Sequence, residues 1–112
     1  MYQYASTCAA CAFESIGIDG VESKVLYTND ATKQKTVVTK MAAGAVIPRH
    51  LHSNAHETVY VLEGELMEDG QKFEVGSYFV GAAGTSHGPH VTEVGCVLLT
   101  HWSGGDVDFV LT

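Results

Sequence analysis

Apolar and polar positions alternate in short runs along this chain. Stretches rich in Val, Thr, Tyr and Phe are divided by glycines at 17, 20, 44, 64, 70, 76, 81, 84, 88, 95, 104 and 105. Short strands with turn signals between them predict an all-β sandwich or barrel. The clearest strands are residues 24–27, 36–42, 58–63, 77–80 and 96–101. Several are dense in β-branched residues, which suit a pleated surface. Glu68-Asp69-Gly70-Gln71 predicts a hairpin turn between residues 65–67 and 71–75, because Asp-Gly is a strong hairpin signal. Residues 1–14 are Ala-rich at Ala9, Ala10 and Ala12 and read as helical or disordered. They are too short to hold a helix alone.

The length of 112 residues fits one domain. The division expected is an N-terminal arm over residues 1–20 and a barrel domain over residues 21–112. Thirteen acidic residues oppose six basic ones, giving a formal net charge of −7. Such a balance argues against nucleic acid and against an anionic membrane surface as partners. No apolar run reaches the roughly 18 residues of a membrane span. The first basic residue is Lys24, so the N-terminus lacks the positive region of a signal peptide. Three cysteines, an odd number, speak against a disulfide framework. Together these features predict a cytoplasmic protein. A domain this small has much surface for its volume, and pairing as a homodimer would bury some of it.

Six histidines stand out. His50-Leu51-His52 is an H-x-H pair, and on a strand positions i and i+2 share a face. Two imidazoles on one face are the start of a metal site; alone, the pair is equally compatible with surface or core histidines. Its surroundings add to it. Gly44, His50, His52, Glu57 and Gly64 follow one another with gaps of five, one, four and six residues. Gly76, Ala82, Gly84 and His87 follow with gaps of five, one and two.

These two segments resemble the paired motifs of the cupin superfamily, and the resemblance covers residues 21–100. Ala82 stands where the family usually has Pro, and Val91 where it often has Asn. Within the superfamily, Pro48-Arg49-His50, Tyr60-Val61-Leu62-Glu63-Gly64, His87-Gly88-Pro89 and Gly95-Cys96 resemble acetylacetone dioxygenase-like cupins and the cupin domain of ChrR-type anti-sigma factors. The resemblance implies a double-stranded β-helix, or jelly-roll, barrel. It further implies one divalent ion held by His50, His52, Glu57 and His87. Three neutral imidazoles and one carboxylate would leave a net +1 on the ion and two octahedral positions open to water, substrate or O₂. Fe(II) fits that expectation, and Mn(II), Ni(II) or Zn(II) are compatible with the same donors. His56 competes with Glu57 as the fourth ligand, because family members vary in this spacing. The two face opposite ways on a strand, and Glu57 is the expected ligand.

Three functions are compatible with such a site. One is an Fe(II) dioxygenase cleaving a small dicarbonyl or related oxygenated substrate. Another is a non-redox isomerase or lyase using the ion as a Lewis acid. The third is a non-catalytic sensing or binding module. Proton transfer would need a further group, for which Tyr60, His90 and His101 are the candidates. Each is equally explained as a hydrogen-bonded structural residue. Met67, Phe73, Phe79 and Trp102 could line a pocket or simply fill the core. Cys8-Ala9-Ala10-Cys11 is a C-x-x-C without a βαβ setting and reads as two small thiols in the arm.

Overall fold

The computed structural model describes residues 1–7, 9 and 11–112. The described residues form strands and connecting turns, with no helix. No helix is therefore long and apolar enough to cross a membrane. The strands are β1 (Glu14–Ile18), β2 (Val21–Asn29), β3 (Gln34–Met41), β4 (Val46–Ile47), β5 (His50–Leu51), β6 (His56–Glu68), β7 (Gln71–Glu74), β8 (Tyr78–Gly81), β9 (His90–Val91), β10 (Cys96–Ser103) and β11 (Val110–Leu111). They pair in the order β1-β2-β3-β10-β6-β9-β4, with β7 and β8 also bonded to β6, and β11 pairs separately with β5. The pairings are antiparallel. The sheet curls into a nearly closed, barrel-like form.

Strand β6 is the hinge of this curl. Residues 57–60 lie between β8 and β10, while residues 65–68 pair with β7 and Met67 pairs with β9. The change of partner falls at Gly64, which has φ +70. A Cβ there would sit 2.0 Å from the Gly95 carbonyl oxygen. Only glycine permits both the left-handed backbone and this close approach. Beyond the bend, Asp69 (φ 50) and Gly70 (φ 76) close the hairpin into β7 with two left-handed residues, as the Asp-Gly pair predicts.

Period-two alternation decides what each strand turns inward. On β6, Glu57, Val59 and Val61 are buried while His56, Tyr60 and Leu62 are exposed. On β10, Cys96, Leu98 and Thr100 are buried. Val59, Val61, Leu66, Cys96 and Leu98 join Val21, Met41 and Ala45 in one apolar core. Burying a side chain of this size contributes about 1.5–3 kcal/mol. Along β6 the inward row continues from Val61 and Val59 to Glu57, so the polar site lies immediately beyond the core.

The N-terminal residues depart from the helical reading. Their described part forms no helix, and it sets the Tyr4 ring 5.0 Å from that of Tyr27 and Phe13 beneath the ammonium groups of Lys24 and Lys40. Strand β1 then pairs with β2. The odd cysteine count argues against disulfides, yet Cys11 is disulfide-bonded. Cys8, the other member of the C-x-x-C, lies outside the described residues. Cys96 is a free thiol that burial pushes up to about 11.

Candidate metal centre

Two distant segments are sewn together at the site. The His50 backbone N–H donates to the His87 carbonyl at 2.9 Å, and the His87 N–H donates back at 2.8 Å. This bridge holds the two residues directly opposite each other. His52 follows one strand period after His50, and both are buried. Glu57 enters from the start of β6, also buried. The Nε2 atoms of His50 and His87 come within 3.0 Å of each other. Glu57 Oε2 lies 3.0 Å from His52 Nε2, and Glu57 Oε1 lies 3.8 Å from His87 Nε2. His50, His52 and His87 each offer one ligand atom within 4.8 Å of the others, an arrangement that could hold a metal ion.

The outer nitrogens of two rings are held by backbone. His50 Nδ1–H donates to the Pro48 carbonyl at 2.7 Å, and His52 Nδ1–H donates to the Asp108 carbonyl. Both bonds turn the Nε2 atoms toward the shared space, which is how a protein orients imidazole ligands. His52 Nε2 is buried and finds no hydrogen-bond partner, although Glu57 Oε2 lies 3.0 Å away. A buried nitrogen without a partner is costly. Three convergent imidazoles, one of them orphaned at Nε2, beside a carboxylate fit a divalent cation of the first transition row.

Burial opposes the charged form of every group in the cluster. Burial pushes His50 down to about 4, even against the Pro48 carbonyl. Burial likewise lowers His87. For His52, burial also opposes charge, but Glu57 and the Asp108 carbonyl outweigh it and the net shift is upward. For Glu57, burial favours the neutral acid, but His52 and the other imidazoles hold the pKa below its usual value. The pocket thus keeps one carboxylate charged among mainly neutral imidazoles, an arrangement that attracts a cation.

A cavity of about 240 Å³ opens beside the cluster, lined in part by His87, His90, Glu68, Phe73, Phe79 and Gly81. The Phe73 and Phe79 rings lie 4.7 Å apart, forming its apolar wall. His90 is buried, with Nε2 2.8 Å from Glu68 Oε1. The other oxygen of Glu68 accepts the Gly88 N–H at 3.0 Å. His90 is therefore adjacent to the cluster, its ring 5.4 Å from that of His87. Gly81 makes room for His87, because a Cβ there would lie 2.9 Å from Nδ1.

Tyr60 and His101 are not brought to the site. Tyr60 lies on the outward face of β6, opposite Glu57. His101 lies on the face of β10 away from Trp102 and shares a 2.7 Å hydrogen bond with Thr36 Oγ1. His56 also points away from Glu57, and its Nδ1 accepts the Ala83 N–H at 3.1 Å. Trp102 borders the cluster, its ring 5.8 Å from that of His52. Met67 is not among the residues lining the cavity.

Sequence reasoning passes over three participants. Glu68 is hidden by its place in a hairpin. Asp108 and Phe109 follow the last motif and belong to no clear strand pattern. Phe109 nevertheless stacks on His50, with centroids 4.1 Å apart and an interplanar angle of 19°.

Fold and site together define a cupin with a candidate metal centre. The chain belongs to the ChrR cupin-like domain family, whose model matches residues 3–103. Its fold is similar to that of KdgF from Halomonas sp., at 21% identity over 86% of this chain and 90% of that one, with a TM-score of 0.74. It is also similar to an acetylacetone dioxygenase from Acinetobacter johnsonii, at 16% identity over 98% and 85% of the two chains, with a TM-score of 0.75. A third similar structure is the Rhodobacter sphaeroides anti-sigma factor ChrR in complex with SigE, at 22% identity and a TM-score of 0.66. That match covers 80% of this chain and 46% of the other. No curated protein matches the chain in sequence.

Proposed function

We propose that this protein is a mononuclear non-haem Fe(II) dioxygenase that cleaves a small dicarbonyl or related oxygenated compound. His50, His52, Glu57 and His87 hold the ion in this reading. The observation that carries it is the double position of His87, which belongs to the imidazole cluster and also walls the adjacent cavity. The fold similarity to an acetylacetone dioxygenase supports the choice of substrate class.

Bound ferrous iron supplies the electron transfer that lets an oxygenated substrate react with O₂. The chain's own residues do the rest. Phe73 and Phe79 exclude water from one side of the substrate. Glu68 Oε1 and His90 Nε2 lie 2.8 Å apart within the same cavity. His90 is the proton-transfer group of this reading. Tyr60 and His101 serve the outer sheet surface instead.

The family match and the similarity to ChrR favour a second reading, a metal-bound sensing module that turns nothing over. Pairing into a homodimer is a further expectation. Tyr60, Leu62, Tyr78 and Val80 expose one apolar face across β6 and β8, which a second copy would cover. Sedimentation of a single monomeric species would rule that out.

The functional test is oxygen consumption by the iron-loaded protein, screened with small β-diketones. Substrate-dependent O₂ uptake that disappears in His87→Ala supports the dioxygenase. Tight iron binding without O₂ uptake on any diketone favours the sensing module.

A further inference from the structure

We propose that Asp108 and Phe109 are positioning residues for the imidazole cluster, acting as a strap that fixes His52 and His50 in their cation-binding orientation. The proposal rests on the metal-centre reading. It goes beyond that reading because the strap lies after residue 103, where the family match ends.

Five observations converge on residues 108–112. The Asp108 carbonyl accepts the Nδ1–H of His52. The Asp108 carboxylate accepts the backbone N–H of Ser53 at 2.7 Å, clamping the strap to the residue next to His52. The Phe109 ring lies flat on the His50 ring, at 4.1 Å and 19°. Strand β11 then pairs with β5, setting Val110 opposite Leu51 and Leu111 opposite His50. Past β11, the Thr112 N–H donates to the Arg49 carbonyl at 3.2 Å.

The physical roles differ between the two histidines. His50 receives its Nδ1 acceptor from Pro48, two residues away on its own segment. His52 receives its acceptor from Asp108, 56 residues away. Without the strap, His52 has no backbone group to fix its ring rotation or to keep Nε2 as the inward nitrogen. Phe109 remains 46% exposed, so its ring is not held there by burial in the core. It stacks on one face of His50, with the His52 ring 6.3 Å away, and it restricts rotation of the His50 ring.

The test uses the full chain, metal-free, with zinc as the probe cation. Phe109→Ala and Asp108→Ala are compared with Phe109→Tyr, which keeps the stack, and Leu111→Ala, which keeps the strand pairing. Zinc affinity is measured by competition with a chelator, and nuclear magnetic resonance of the metal-free protein follows the His52 Nδ1–H proton and the carbon-bound ring protons of His50. The expected result is a loss of zinc affinity of about 10- to 100-fold in Phe109→Ala and Asp108→Ala. Phe109→Tyr and Leu111→Ala should bind like the parent. The His52 Nδ1–H should exchange faster in Asp108→Ala, and the His50 ring protons should shift in Phe109→Ala. Unchanged affinity and unchanged ring signals in both alanine variants would overturn the proposal. A parent protein that binds no zinc would instead defeat the metal reading, and the strap's role toward a cation with it.

Discussion

The Nε2 atoms of His50 and His87 face each other at 3.0 Å, although 37 residues separate them in the chain. Their backbones exchange two hydrogen bonds, so the encounter is built into the main chain and not left to side-chain choice. With His50 Nδ1–H committed to Pro48, His50 presents a lone pair at Nε2. A cation between these nitrogens would turn a crowded pair into joint ligands.

Removing either ring should therefore strip the metal and spare the barrel. His50→Ala and His87→Ala are each expected to retain less than about a tenth of an equivalent of metal, since even supporting groups cost 10- to 100-fold in affinity. Elemental analysis reads the metal, and circular dichroism should report an unchanged β-sheet. Full occupancy in either variant would remove that residue from the ligand set.

The choice between His56 and Glu57 has an equally direct check. His56→Ala should keep its metal, because that ring points away and meets the Ala83 N–H. Glu57→Gln should lose affinity by about 100-fold. The reverse pattern would make His56 the ligand.

Gly81 should matter only through His87. An alanine there would bring a Cβ to 2.9 Å from His87 Nδ1 and displace the ring. The expected outcome for Gly81→Ala is a folded protein with metal affinity weakened about tenfold. Calorimetric titration showing parental affinity would contradict it.

Gly64 should behave differently, as a determinant of the fold. Gly64→Ala combines a left-handed φ of +70 with a Cβ 2.0 Å from the Gly95 oxygen. Strain and overpacking together should cost about 3 kcal/mol or more. Urea denaturation would detect this, and a shift below about 1 kcal/mol would mean that β6 can bend without glycine.

Stability of the metal-free protein should fall as pH drops from about 6.5 to about 4. Burial holds His50 at about 4 in the folded state, whereas it titrates near 6.5 when unfolded. In that window the unfolded chain binds the extra proton, so acidification favours unfolding, by about 3 kcal/mol at most from this residue. His87, also lowered, acts in the same direction. His52 is raised, so its contribution is present below its unfolded pKa and is lost as pH rises through its folded pKa. A comparison with His50→Gln isolates the first effect. The variant should show a flatter stability profile over this range, and parallel profiles would refute the assignment.

Much of the site is legible in the sequence because its spacing is regular. The H-x-H pair, Glu57 and His87 sit at motif distances, and strand alternation separates Glu57 from His56. The same alternation also explains why Tyr60 and His101 miss the site: each is an odd number of residues from an inward neighbour, Glu57 and Trp102 respectively. Glu68 and His90 are harder to connect, because a hairpin and a loop intervene between them. Asp108 and Phe109 leave still less trace. Strand β11 has two residues, too few to show a period, and the His52 bond uses a backbone carbonyl that any residue could supply.

The central claim is most directly tested by crystals grown with zinc and diffraction data collected at its absorption edge. The expected result is one anomalous peak within about 2.0–2.2 Å of Nε2 of His50, His52 and His87 and of a Glu57 oxygen. A peak held by other residues, or none between these rings in zinc-saturated crystals, would contradict the account.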